Sequence, residues 1–257
     1  MEYLIFKDDG GEPKVTGVRD GSAQSWFDDD FWLRNPHIKQ FMWPKNPSDQ
    51  RFSMGVPPEF DLDFIGLPMH KNAKHTDLIY LTPLLNGLVI SSKFRSLLER
   101  FRLPGHRFYP VSFNQRDKKT GETHQIKDYW YLFFEKETGE MTINFSASTF
   151  DFSFHAQYLK LAEQNFPVQS YEDYMRIFFD TGTALSATKL VFNRDFNKEL
   201  DLWGCKFLST KNYISNRLLA ALVESKITGY RTIDLERAKQ IAKLTGVPSC
   251  ELVFEIE

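Results

Sequence analysis

The sequence predicts an α+β protein, with a mixed α/β arrangement in which helices pack on a mixed sheet. Short apolar and aromatic runs alternate irregularly with amphipathic helical segments, which favours this class. The run DYWYLFFE is apolar almost throughout, as is typical of a central strand buried on both faces. One strand–helix–strand pattern occurs twice, from Ile90 to Arg107 and from Ile214 to Arg231. We therefore expect one compact domain that contains two related units.

The N-terminal part opens with a strand and continues without long regular elements. Tyr3–Phe6 is the expected strand, and a turn signal of Asp and Gly follows it. Residues 20–63 hold five of the 12 prolines and three of the five tryptophans, which argues against long helices or strands. Residues 1–76 are therefore predicted to form an aromatic, acidic, proline-rich region that packs on a body of residues 77–257.

The body begins with an expected strand in LIYL and an expected hairpin turn at Asn86-Gly87, because both turn residues tolerate positive φ. A helix follows Ser91, with Phe94, Leu97 and Leu98 on its inward face. The remaining expected strands are HRFYPVSF, DYWYLFFE, TKLVFN, YRTI and ELVFEI, and the remaining expected helices follow Ser170, Ser215 and Asp234.

The two units, about residues 88–111 and 212–235, align without a gap at a separation of 124 residues. Each carries a Ser expected to cap its helix, a Gly expected to adopt positive φ after the helix, and an Arg expected to pair with a carboxylate and brace the units. These matched residues are Ser91, Gly105, Arg107, Ser215, Gly229 and Arg231. Chance recurrence of a common supersecondary pattern is the alternative explanation.

The phrase LVISSKFRSLLERFRLPGHRFYPV, followed by DYWYLFF, resembles a family of bacterial immunity proteins, the kind named immunity protein eleven. The later segment YISNRLLAALVESKITGYRTI is similar to a C-terminal segment of that family. The resemblance covers about residues 78–135 and 189–233. It implies a protein that binds and neutralises a cognate toxin of a polymorphic or contact-dependent system, and it implies no catalytic residue.

The net charge, the number of cysteines and the hydropathy of the chain indicate its cellular compartment and disfavour some classes of partner. The formal net charge is −2, so no global basic field favours nucleic acid or an anionic membrane. Two distant cysteines indicate a reducing compartment rather than a disulfide framework. The N-terminus does not read as a signal peptide, and no apolar run approaches the ~18 residues that cross a bilayer. We expect a cytoplasmic protein, with a homodimer as the alternative to a monomer.

The sequence contains no known catalytic motif, such as a nucleophile elbow, a P-loop or a zincin helix. We therefore predict no catalytic residue, no metal site and no cofactor, and we interpret Cys205 and Cys250 as packed, unreactive thiols. The alternative function is a small hydrolase or transferase with a site in a cleft between the two units, where Asp151, His155 and Glu163 are the groups to test. A scaffold or regulatory module is a third hypothesis.

The aromatic and acidic segment is the best candidate for partner binding. Tryptophan and phenylalanine supply large contact areas, and carboxylates complement a basic partner, as many nucleic-acid-cleaving toxins are. Coverage of a sheet edge is the competing structural explanation for the same aromatics. The predicted toxin-binding residues are Trp26, Asp28, Asp29, Asp30, Phe31, Trp32, Asp61 and Asp63.

Overall fold

The computed structural model describes residues 3–255 except 11, 20, 47–48, 50, 85, 153–167, 182–184, 209–210 and 246–248. That part of the chain holds 14 strands and eight α-helices, which confirms the α+β class. The strands are β1 Tyr3–Asp8, β2 Ser25–Trp26, β3 Phe64–Met69, β4 Leu78–Ile79, β5 Leu81–Thr82, β6 Leu88–Ser91, β7 His106–Arg116, β8 Thr123–Phe134, β9 Thr149–Phe152, β10 Leu185–Phe192, β11 Leu202–Gly204, β12 Asn212–Ser215, β13 Tyr230–Ile233 and β14 Glu251–Phe254. The helices are α1 Pro13–Thr16, α2 Asp29–Arg34, α3 Pro36–Met42, α4 Arg51–Met54, α5 Ser92–Leu98, α6 Tyr171–Thr181, α7 Asn216–Glu224 and α8 Leu235–Thr245.

The strands form three sheets. The largest has the order β4-β6-β8-β7-β3-β2-β5, and the others have the orders β11-β12-β1-β13 and β14-β10-β9. The pairs β2–β5, β3–β7 and β10–β14 are parallel and the other strand pairs are antiparallel, so the sheets are mixed as predicted. Strand β8 lies between β6 and β7, and Tyr131, Leu132, Phe133 and Phe134 are buried in it. The predicted central strand is therefore confirmed.

The repeated pattern is a structural duplication, and it extends beyond the predicted units. The first residues of β11, β12, α7 and β13 each lie 124 positions after the first residues of β4, β6, α5 and β7. Strand β6 pairs with β8 in the first copy, and β12 pairs with β1 in the second. Strand β1 therefore occupies, in the sheet of the second copy, the position that β8 occupies in the sheet of the first copy.

The register of pairing shows that β1 and β8 are equivalent and exchanged. Ser91 lies opposite Tyr129 of β8, and Ser215 lies opposite Tyr3 of β1, 126 positions before Tyr129. In chain order β1 leads the first copy and β8 leads the second. Each leading strand therefore completes the sheet of the other copy, and the copy boundary falls between β7 and β8, in residues 117–122. The division predicted at residue 76 lies inside the first copy.

Backbone hydrogen bonds beyond the ends of the exchanged strands are reciprocal as well. The amide of Glu135, after β8, donates to the carbonyl of Gly105 at 2.8 Å. The amide of Asp9, after β1, donates to the carbonyl of Gly229 at 2.9 Å. Paired contacts of this kind, in which each half offers the other the same groups, are those of a two-fold relationship.

The second copy differs from the first by an insertion in the strand equivalent to β7. Phe113 of β7 lies opposite Leu67 of β3, and Val253 of β14 lies opposite Val191 of β10. Leu67 and Val191 are 124 positions apart, whereas Phe113 and Val253 are 140 apart. Sixteen extra residues, which include α8, therefore divide this strand into β13 and β14.

Three hydrophobic clusters hold the molecule together, and one of them lies between the copies. It joins the exchanged strands, through Phe6 and Leu132, to the equivalent helices, through Leu98 and Leu222. All four side chains are buried. Burial of each contributes roughly 1.5–3 kcal/mol, so the two copies form one cooperative unit.

The strands on either side of the expected hairpin, β4 and β6, do pair antiparallel, but the expected two-residue turn at Asn86-Gly87 is wrong. Gly87 has positive φ, but Asn86 does not, and its amide is buried and donates to the carbonyls of Phe52 and Phe134 at 3.2 and 3.3 Å. The strand predicted in LIYL is divided, because β4 pairs with β6 whereas β5 pairs with β2. A buried asparagine that meets backbone groups far away in sequence gives no local signal.

Candidate binding site

Helix α2 separates an inward aromatic from outward acids. Asp28 caps the helix, since its Oδ1 accepts a hydrogen bond from the amide of Phe31 at 2.8 Å. Phe31 is fully buried, with ring centroids 5.1 Å from Phe27 and 6.0 Å from Phe64. The prediction that Phe31 contacts a partner is therefore wrong: it belongs to the core, and the Asp28 carboxylate is occupied by its own helix.

The outward side of α2 combines acids with an exposed leucine. Asp29 and Asp30 are exposed, and Leu33 is 78% exposed. Residues three and four apart share one side of a helix, so these three side chains are neighbours. Neither acid forms an ion pair with any base among the described residues.

Tryptophans extend this side toward α3. Trp32 is half-buried and meets the ring of Trp43 edge-on, with centroids 5.0 Å apart. Trp43 and Trp26 are each 37% exposed, and Trp26 lies in β2 just before α2. The name acidic aromatic face is used below for Asp29, Asp30, Trp32, Leu33 and Trp43.

Asp61 and Asp63 lie in a different environment. They flank the buried Leu62 and line a shallow depression together with Arg95 and Arg107. Burial, together with the neighbouring Asp61 carboxylate, raises the pKa of Asp63. These two acids therefore share a mixed-charge depression with arginines, whereas Asp29 and Asp30 lie in the first turn of α2 and its one base, Arg34, lies at the opposite end of the helix and donates to the backbone carbonyl of Asp30.

The helix caps predicted from the repeat are confirmed. The amide of Phe94 donates to Ser91 Oγ at 3.1 Å, and the amide of Leu218 donates to Ser215 Oγ at 3.1 Å. The two serines occupy equivalent positions in the repeat, and their capping hydrogen bonds have the same length. Because both serines also end buried strands, each one orients its helix relative to its sheet.

Two aspartates, Asp77 and Asp201, brace the copies, and neither is among the residues predicted from the repeat. Asp77 and Asp201 accept from the cap serines of their own copies at 2.7 and 2.6 Å. The amide of Thr228 donates to Asp77 Oδ2, and the amide of Arg102 donates to Asp201 Oδ2, both at 2.9 Å. Each aspartate therefore joins its cap to the other copy. Asp77 and Asp201 are also 124 positions apart, so the spacing of the repeat identifies them in the sequence as an equivalent pair.

The glycines and arginines of the repeat behave differently from expectation. Gly229 has a φ of 85°, as predicted, but Gly105 does not adopt positive φ. A Cβ at position 105 would lie 2.5 Å from the carboxylate of Glu135, an exposed side chain that would have to move. Among the described residues Arg107 and Arg231 form no ion pair, so the predicted arginine brace is wrong.

Of the three groups named for an enzymatic alternative, only Asp151 lies among the described residues. Asp151 is exposed in β9, and His155 and Glu163 lie outside the described residues. Burial raises the pKa of Cys250 to about 12 and that of Cys205 well above its usual range. Across the described ranges, no three His, Cys, Asp or Glu side chains are grouped as metal ligands.

Comparison with known proteins identifies no relative. No protein-family model matches this chain, and no curated protein sequence matches it. The two longest described helices, α6 and α8, have 11 residues each, and none of the described helices has the length and apolar character needed to span a membrane.

Proposed function

We propose that this chain is an immunity-type protein that neutralises a toxin by binding it stoichiometrically through the acidic aromatic face. The supporting observation is the side of α2 that exposes Leu33 beside Asp29 and Asp30. Exposed apolar and indole surface provides a contact area, and unpaired acids at its edge attract a basic partner. The expected partner is a basic toxin domain whose active site or substrate groove is covered in the complex.

The place of the face relative to the duplication supports the same proposal. The segments that resemble immunity protein eleven, about residues 78–135 and 189–233, correspond to the two strand–helix–strand units and β8. Helices α2 and α3 lie outside these segments. The resemblance therefore describes a scaffold, and the surface that would select one toxin lies in a part that the resemblance does not constrain.

The alternative of a hydrolase or transferase places its site in the cleft between the copies. The described residues that line this cleft include Lys7, Lys136, Lys211 and Arg231 and one carboxylate, Asp8, but no His, Cys or Glu. Histidine, cysteine and carboxylates are the usual general bases and nucleophiles. Asp8 and the lysines are the groups that a hydrolase would have to use here, whereas the excess of cations over acids in this lining favours the binding of an anionic ligand.

The proposal is tested by reversing charge on the face without disturbing its helix cap. Asp29→Lys and Asp30→Lys together should slow association with the C-terminal domain of the adjacent gene's product, tested as the candidate toxin, and weaken the complex at least tenfold, about 1.4 kcal/mol. Asp28 is left unchanged because it caps α2. Growth rescue on co-expression, followed by calorimetry and association kinetics, measures the effect.

A matched control carries the same charge change elsewhere. Glu122→Lys and Glu172→Lys together alter two exposed acids, one between β7 and β8 and one in α6. This variant should bind and rescue as the unmodified chain does. Equal affinity of both double variants, with intact folds, would remove the acidic aromatic face from the account, and absence of any rescue by the unmodified chain would overturn the immunity function.

A further inference from the structure

Three cationic side chains lie side by side on one face of the four-stranded sheet. Lys7 of β1 is directly opposite Arg231 of β13. On the other side of β1, Phe6 is opposite Asn212 of β12. The next position along both strands places Lys211 beside Lys7. Because directly opposed residues of antiparallel strands point to the same face, Lys211, Lys7 and Arg231 form a row across three strands.

This cationic row lines a cavity of about 710 Å³. A fourth cation, Lys136, lines the same cavity, and Asp8 is the one carboxylate among its described lining residues. Four cations and one acid leave a formal charge of +3. The volume lies within the ~300–1,000 Å³ of small-molecule sites.

The cavity lies where the two copies meet. Its lining includes both members of two equivalent pairs of residues. Gly10 and Lys136 are 126 positions apart, as are the equivalent strands β1 and β8, and Gly87 and Lys211 are 124 positions apart, as are the repeated units. In both pairs the second copy has lysine where the first has glycine. The duplicated scaffold therefore encloses one space, and the differences between the copies make that space cationic.

The cationic row is unfavourable without a counter-charge. Like charges directly opposite each other on neighbouring strands destabilise a sheet. Lys7, Lys211 and Arg231 form no ion pair within 4.0 Å with any described carboxylate, although Asp8 acts on the charge of Lys7 and Asp9 lies within the field of Arg231.

Burial of the lysines makes their charged forms still less favourable. It lowers the pKa of Lys136 to about 8, and it lowers the pKa of Lys211. Burial, with Arg231 and Lys211 nearby, also lowers the pKa of Lys7. An anion in the cavity would remove the repulsion and favour the charged forms of Lys7, Lys136 and Lys211.

We propose that this cavity binds a small organic molecule that carries two or more phosphate groups. The cationic row and Lys136 match several negative charges, and arginine and lysine are the usual phosphate partners. The lining also includes the apolar side chains of Leu81, Leu84 and Ile241, which suit an organic moiety. The site is independent of the acidic aromatic face.

The experiment titrates the full chain with ATP, pyrophosphate and adenosine in magnesium-free buffer, with calorimetry and thermal unfolding as readouts. ATP should bind with a micromolar dissociation constant and raise the melting temperature, and added NaCl should weaken binding. Pyrophosphate should bind more weakly than ATP, because it lacks an organic moiety that contacts Leu81, Leu84 and Ile241; equal affinity would overturn the organic part of the proposal. Adenosine should not bind.

Variants distinguish the specific contribution of the cationic row from a nonspecific effect of removing positive charge. Lys211→Gln and Arg231→Gln together should weaken ATP binding at least tenfold. Arg107→Gln is the matched control, because Arg107 is the equivalent of Arg231 in the first copy. The Asp29→Lys, Asp30→Lys variant should bind ATP normally, which distinguishes this site from the toxin surface. No binding of ATP or pyrophosphate at about 1 mM, roughly a thousandfold above a micromolar dissociation constant, binding of adenosine, or equal affinity of the Lys211, Arg231 variant would overturn the proposal.

Discussion

At the scale of single residues, the two bracing aspartates occupy matched positions in different environments. The Asp201 side chain is 0% exposed, whereas that of Asp77 is 13% exposed. Burial raises the pKa of Asp201, but hydrogen bonds from Arg217, Ser215 and the Arg102 backbone outweigh it, so the pKa lies below its ordinary 3.8. The ionised form of Asp201 is therefore linked to folding.

Replacement of Asp201 should cost more than replacement of Asp77. Asp201→Asn should lower the free energy of unfolding by about 2–4 kcal/mol at pH 7, because buried donors lose a charged acceptor, and Asp77→Asn should cost less. Since the folded pKa of Asp201 is depressed, its contribution is present above the unfolded pKa and lost as pH falls through the folded one. Urea unfolding at pH 7, 5 and 3 should show the gap between Asp201→Asn and the unmodified chain narrowing only below about pH 4. A gap that does not change with pH contradicts this account.

At the scale of elements, short helices depend on their caps. Helices α5 and α7 have 7 and 9 residues, too few for stability without tertiary contacts. Their cap serines satisfy a first-turn amide and also join each helix to a bracing aspartate. The serine thus links local structure to the contact between copies.

Removal of either cap should therefore destabilise the whole molecule. Ser91→Ala and Ser215→Ala should each lower the free energy of unfolding by about 1–2 kcal/mol, with the larger effect at Ser215 because its aspartate is fully buried. Ser96→Ala, at an exposed position inside α5, is the matched control and should change stability by less than about 0.5 kcal/mol. Thermal and urea unfolding measure all three. Caps that cost no more than Ser96→Ala would contradict the cap assignment.

At the scale of the whole molecule, the exchange of leading strands ties the two copies together. The hydroxyl of Tyr129, in β8, donates to the carbonyl of Thr76 at 2.9 Å. The hydroxyl of Tyr3, in β1, donates to the carbonyl of Leu200 at 3.1 Å, and Leu200 is the equivalent of Thr76. Neither copy completes its own sheet, so folding requires both halves of the chain.

Cleavage between the strands β7 and β8 tests this exchange. A protease site placed in the exposed loop of residues 117–122 should be cut without loss of the folded state, because β1 and the cluster between the copies hold the pieces together. The cut protein should elute from a sizing column at the position of the intact chain and separate only in denaturant. Pieces that separate in native buffer would contradict the exchange.

Much of the fold and part of the candidate site followed from local pattern. The caps at Ser91 and Ser215, the central strand β8 and the α+β class were predictable, because capping chemistry and hydrophobic periodicity act over a few residues. The acids and exposed tryptophans near α2 were also visible as composition. Phe31 was misassigned because a six-residue helix among prolines does not reveal from its sequence which side is buried.

The sequence by itself determined that this chain contains one strand–helix–strand unit twice, since a gapless match at 124 residues is independent of folding. Only the tertiary structure decided that the units exchange their leading strands, because strand pairing joins residues separated by most of the chain. The same pairing gathered Lys7, Lys211 and Arg231 into one row. Those cations are distant in sequence, and long-range register alone determines that they share a face.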